Sequence, residues 1–211
     1  MRLAVVTEFS TKTKNPDIAR VLDELGFEYI NVGMKNVDDE PQLNYVETAF
    51  IAAIAYHLNA CDYIIAGCGT GEGFCIALNQ FPAMMCGHIE SPLDAWLFQQ
   101  INGGNAASFM FNKDYGWGAD INFKFMMERL FDQPIASGYP KSRADVQQKF
   151  RQLLVDLSVA GKKTMVEVVD VYNQDSLKNI LKFPGFIDWV KASKGGDEAL
   201  RAKLVEKYKA L

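Results

Sequence analysis

Within residues 2–131 a short β-rich run, a turn and a helix-length segment follow one another five times, and this alternation limits the possible fold more than any other property of the chain. Residues 2–7, 27–32, 63–66, 83–86 and 106–111 read as strands. The segments between them carry helix start and stop signals. Asn15-Pro16 supplies an N-cap and a first-turn proline, Gly26 supplies the stop, and Ile18, Val21, Leu22 and Leu25 form the apolar stripe. Residues 45–58 read as a long, apolar helix, residues 74–79 as a helix after the third strand, and residues 119–131 as an amphipathic helix. Ser91-Pro92 repeats the cap-plus-proline start. Strands joined through helices pair in parallel, and a parallel sheet is covered on both faces. The expectation is a Rossmann-like, three-layer α/β/α fold with a five-stranded parallel sheet. Such sheets bind ligands beyond the carboxyl ends of their strands.

The pattern changes at Lys141. Residues 142–157 read as a helix with apolar Val146, Phe150, Leu153, Leu154 and Leu157, and Val166-Glu167-Val168-Val169 suits either a strand or a helix. The rest is charge-rich and helical, broken at Phe183-Pro184-Gly185 and Gly195-Gly196. This divides the chain into residues 1–158 and a mainly helical C-terminal extension, 159–211, expected to pack on the core or on a partner subunit.

A net charge of −4 over 211 residues gives no general basic face, which argues against nucleic-acid or membrane-surface binding but leaves room for a local phosphate pocket. No apolar run approaches the ~20 residues of a membrane helix, and the first residues read as a strand rather than a signal peptide, so the cytoplasm is the expected location. Cys61, Cys68, Cys75 and Cys86 form no Cys-x-x-Cys pair, and His57 and His88 are the only histidines. A metal site is therefore not expected, and the thiols should be reduced.

The chemistry concentrates in Gly67-Cys68-Gly69-Thr70-Gly71-Glu72-Gly73, between the third strand and its helix. Glycines let a backbone turn tightly and approach a ligand, and a strand-to-helix loop points N–H groups at an anion. The loop after the first strand, Thr7-Glu8-Phe9-Ser10, has no glycine, and no Gly-Lys-Ser/Thr occurs anywhere. Dinucleotide and ATP binding are disfavoured on both counts.

Cys68-Gly69-Thr70-Gly71-x-Gly73-x-x-Ile76-Ala77-x-Asn79-x-x-Pro82 resembles the signature of the type B ribose-5-phosphate isomerases and the related galactose-6-phosphate isomerases. The opening Met1-Arg2-Leu3-Ala4 and the segment Asn102-Gly103-Gly104-Asn105 are similar to those of that family, over roughly residues 1–151. The resemblance implies a cofactor-free aldose–ketose isomerase that moves a proton between C1 and C2 of a sugar phosphate through a cis-enediolate. It implies Cys68 as base, with the amides of Gly69, Gly71 and Gly73 stabilising the enediolate. A subset of the family uses a glutamate at the position of Glu72, so Glu72 is a second candidate. The positive end of the following helix favours a thiolate, while a neighbouring carboxylate opposes one. Thr70 either bonds a substrate hydroxyl or caps the helix. Glu8 could accept bonds from sugar hydroxyls and Asn102 falls in the family's Asn-x-x-Asn segment, while Lys141 and Arg143 match its phosphate-binding segment. That segment acts on the partner's site, so a homodimer or a dimer of dimers is implied.

Two positions depart from the family. Its Asp-His after the first strand is Glu8-Phe9, and its ring-opening histidine falls at Ile101, which cannot exchange a proton. The departures predict a short or open-chain substrate, such as a tetrose phosphate. The alternatives are a non-catalytic sugar-phosphate binder and an isomerase of a non-phosphorylated sugar or a hydroxy-keto acid.

Overall fold

A computed structural model describes all residues, 1–211. Five strands, β1 (Arg2–Val6), β2 (Glu28–Asn31), β3 (Tyr63–Cys68), β4 (Cys86–Ile89) and β5 (Ala106–Met110), form one parallel sheet in the order β2-β1-β3-β5-β4. Alternate side chains of the central strands feed two cores, as the two-residue period of a strand requires. Ala4, Val6, Ile64, Ala66 and Cys68 face α2 (Tyr45–His57) and α3 (Glu72–Leu78). Leu3, Val5, Tyr63, Ile65, Ala107 and Phe109 face the opposite layer, formed by α1 (Asn15–Glu24), α4 (Pro92–Leu97) and α5 (Ala119–Phe131). The expected three-layer architecture is present.

Helix α6 (Ala144–Gly161) lies on the outside, with only Gln147 and Ser158 buried. The extension folds as α7 (Met165–Val171), α8 (Gln174–Lys182), α9 (Phe186–Ala192) and α10 (Glu198–Lys209). It packs over α2: Met165, Val169, Leu177, Ile180, Leu181, Phe183, Phe186, Ile187, Val190, Leu200 and Leu204 join the same core as the sheet. At about 1.5–3 kcal/mol per buried apolar side chain, that contact makes the extension part of the fold. No helix is long and apolar enough to cross a membrane.

Several boundaries differ from expectation for identifiable reasons. Strand β3 runs on to Cys68, because Gly67 and Cys68 pair with Phe109 and Met110. A methyl group at Gly67 would collide with the Phe109 carbonyl. Strand β4 begins at Cys86 instead of Ala83, whose φ of +58° breaks the extended chain. Asparagine side chains take over the pairing there: Asn79 accepts from Cys86 N–H and donates to Cys86 O, both at 2.9 Å. Asn105 likewise accepts from Met85 N–H and donates to Ala83 O, both at 2.9 Å. Asn15 does not cap α1; it lies inside the helix and bonds Thr7 Oγ1 and the Asn31 side chain. The ambiguous segment 166–169 is helical, started by the capping box Thr164–Glu167.

Candidate active site

The carboxyl ends of the three central strands meet at the glycine loop. Cys68 is the last residue of β3, 7% exposed, and its carbonyl accepts from Phe111 N–H at 3.1 Å. The Gly69 carbonyl accepts from Asn112 N–H at 3.1 Å and Lys113 N–H at 2.9 Å. The Asn112 amide reaches across to Ser10, donating to its carbonyl at 3.2 Å and lying 3.3 Å from its hydroxyl. Ser10 in turn donates from Oγ (2.5 Å) and from its backbone N–H (2.9 Å) to the carboxylate of Glu8, which is 2% exposed. Glu8, Cys68 and the glycine loop are thus laced together at the carboxyl ends of the central strands.

Gly71, at φ +82°, is the cap position of α3, so Thr70 does not cap the helix and its exposed side chain makes no bond within the protein. The N–H groups of residues 69–73 find no acceptor in the chain. Two of their carbonyls do find donors: Thr70 O accepts from His88 Nε2 at 2.8 Å, and Gly71 O from Ser108 Oγ at 2.5 Å. Glu72 is exposed in the first turn of α3. Nearby, Lys113 bonds Glu90 at 2.7 Å, which raises the Lys113 pKa and lowers that of Glu90; Asp114 and Glu72 add smaller upward contributions on the lysine. At Gly73 the loop touches the Tyr45 ring, where an apolar groove of about 470 Å³ opens between Ile76, Phe81 and Tyr172.

The other expected residues lie at the opposite end of the strands. Asn102 ends a π-helical turn that precedes β5, and Gln99 of that turn accepts from the hydroxyl of Tyr63, the first residue of β3. The segment carrying Lys141 and Arg143 packs on the same turn: Ala136 N–H and Gly138 N–H donate to Gln99 O and Gln100 O, each at 2.9 Å. Arg151 donates to the carbonyls of Ile101 (2.8 Å) and Ala136 (3.1 Å). From the Ile64–Ala106 pair to the Cys68–Met110 pair is four residues of strand, about 13 Å at ~3.3 Å per residue. Glu8, Cys68, Thr70 and Glu72 therefore gather at one end, and Asn102, Lys141 and Arg143 at the other. Ser10, Tyr45, Ser108 and Asn112 carry no sequence pattern that marks them for the site, and His88, which reads from sequence as a strand-end histidine, holds the loop.

Residues 4–147 match the ribose/galactose isomerase family. The chain belongs to that family. Among solved structures, a 4-deoxy-L-threo-5-hexosulose-uronate ketol-isomerase complexed with a tartrate is 35% identical, with 100% of both chains covered and a TM-score of 0.90. A ribose-5-phosphate isomerase from Vibrio parahaemolyticus is 31% identical over 100% of this chain and 98% of its own, with a TM-score of 0.88. A type B ribose-5-phosphate isomerase from Thermotoga maritima shares the fold at 20% identity and a TM-score of 0.57, but covers 70% of this chain. A search of curated protein sequences returned no significant match. As a member of the ribose/galactose isomerase family the chain is a sugar isomerase, an intramolecular oxidoreductase.

Proposed function

We propose that this isomerase converts an open-chain keto-uronate or a comparable open-chain sugar acid between its aldose and ketose forms. The observation that carries this reading is Ile101. It stands where the family's ring-opening histidine is expected, and its carbonyl is held by Arg151. A substrate that reacts here must present its carbonyl without help from that position. Support comes from the uronate ketol-isomerase, which is similar over the whole chain, extension included.

The reaction is a proton transfer through a cis-enediolate. Cys68 takes the proton from the carbon beside the carbonyl and returns it to the neighbouring carbon, while a proton passes between the two oxygens. We assign the base to Cys68, because β3 holds it rigidly at the floor of the loop, whereas Glu72 projects from an exposed turn. The free N–H groups of residues 69–73 stabilise the developing oxyanion. Thr70 and Glu8 bond substrate hydroxyls.

Asn102, Lys141 and Arg143 complete the site from a second copy of the chain, since their own sheet separates them from Cys68. Helix α6 offers such a copy an apolar surface: Phe150, Leu153, Leu154 and Leu157 are 48–68% exposed. Lys141 and Arg143 suit the carboxylate of a uronate as well as a phosphate. Proton exchange from solvent D₂O into carbon, followed by NMR, tests the reading. We expect exchange and ketol isomerisation with 4-deoxy-5-hexosulose uronate at a kcat/KM at least about tenfold above that for ribose 5-phosphate. Equal or faster turnover of ribose 5-phosphate would return the substrate to the sugar phosphates.

A further inference from the structure

His88 on β4 and Ser108 on β5 are direct register partners, so their side chains project side by side from one face of the sheet. They bond successive carbonyls of the glycine loop, His88 Nε2–H donating to Thr70 O at 2.8 Å and Ser108 Oγ–H to Gly71 O at 2.5 Å. In a trans peptide the N–H points opposite to the C=O. The N–H groups of Gly71 and Glu72 are therefore turned away from the β4–β5 wall, and neither has an acceptor in the chain. The loop is seated closely: a Cβ at Gly71 would lie 2.7 Å from His88 Nε2.

We propose that His88 and Ser108 are positioning residues for the isomerisation, which by anchoring these two carbonyls aim the Gly71 and Glu72 amides at the enediolate oxygen. The inference rests on the isomerase reading and narrows it, since two of the five free amides become the oxyanion donors. Satisfying buried polar groups does not account for the arrangement. Gly71 O already accepts from Cys75 N–H at 3.1 Å, the first bond of α3. Ser108 is fully buried, and alanine would pack there without a hydroxyl to satisfy. What the two bonds add is a fixed orientation of the peptide planes before the substrate arrives. Donors that need no reorientation during the reaction are the ones that lower its barrier.

The test compares His88→Ala, His88→Gln and Ser108→Ala with the unaltered protein, using solvent-deuterium exchange into 4-deoxy-5-hexosulose uronate and into ribose 5-phosphate. Glutamine places a donor nitrogen as many bonds from the backbone as Nε2. We expect His88→Ala and Ser108→Ala each to lower kcat about 10- to 100-fold, with KM within about twofold and Tm within a few degrees. His88→Gln should recover kcat to within about threefold, which a filled cavity alone would not do. Alanine variants with kcat within about twofold of the parent, or a glutamine variant no better than alanine, would overturn the positioning role. If the unaltered protein exchanges no carbon-bound proton in either sugar, the isomerase reading falls and takes the positioning role with it.

Discussion

Cys68 and Glu72 are four positions apart but occupy different surroundings: the thiol closes a buried strand, and the carboxylate stands in water at a helix start. With Cys68 as base, Cys68→Ala should lower kcat by about 10²–10⁴ and Glu72→Gln by less than about tenfold, both read by deuterium exchange. The reverse order would move the base to Glu72. The place of this loop was legible in the sequence, because glycines set between an apolar run and a helix-like run mark a strand-to-helix turn. The groups that hold the loop were not. Asn112 bonds Ser10 across 102 positions and His88 bonds Thr70 across 18, and no local pattern marks such partners. Asn79 and Asn105 carry part of the family resemblance, and the structure shows both side chains occupied in pairing with backbone.

At the scale of elements, β4 starts where an asparagine substitutes for a neighbouring strand. Asn79→Ala removes the partner of Cys86 N–H and leaves Cys86 O with only the weaker Cys75 Sγ–H donor, 3.3 Å away. Leaving a buried backbone group unpaired costs about 1–3 kcal/mol, so urea denaturation should show a loss of about 1–3 kcal/mol with little change in the denaturant slope. The pairing explains why the apolar run 83–86 misleads: hydrophobicity marks burial there, and Ala83 at positive φ decides the geometry. Helix α2 was more legible. Nine consecutive residues, Glu47 to Ala55, are buried, as expected for a helix apolar on every side. Its sequence requires cover on two faces; the sheet provides one and the extension the other. Glu47 is buried with it, accepting from Asn44 N–H at 2.9 Å and Asn179 Nδ2 at 3.1 Å, which ties α2 to α8.

For the whole molecule, the core hides groups that ionise in base. Burial, with Asp62 nearby, pushes the Cys61 thiol up to about 12 from an ordinary 9.0. Burial also raises Tyr63, Tyr115 and Tyr172. A raised folded pKa means that the stabilisation is complete below the unfolded value and drains away as pH climbs to the folded one. For Cys61 that window runs from about 9 to about 12. Unfolding free energy should therefore fall by about 2 kcal/mol between pH 8 and 10.5 from this thiol, with the tyrosines steepening the loss at higher pH. Urea titrations at the two pH values check this, and Cys61→Ala should flatten the first part of the slope.

The proposed sharing of each site between two copies also has a consequence for mixtures of defective proteins. Protomers carrying Cys68→Ala and protomers carrying Arg143→Ala should each be inactive alone. If two copies share each site as proposed, half of the dimers refolded from equal amounts are hybrids, and each hybrid concentrates both lesions in one site and leaves the other whole. Recovery of about a quarter of the parental activity is the expected yield of such complementation. Mixing that restores nothing would mean that each chain supplies its own site entire.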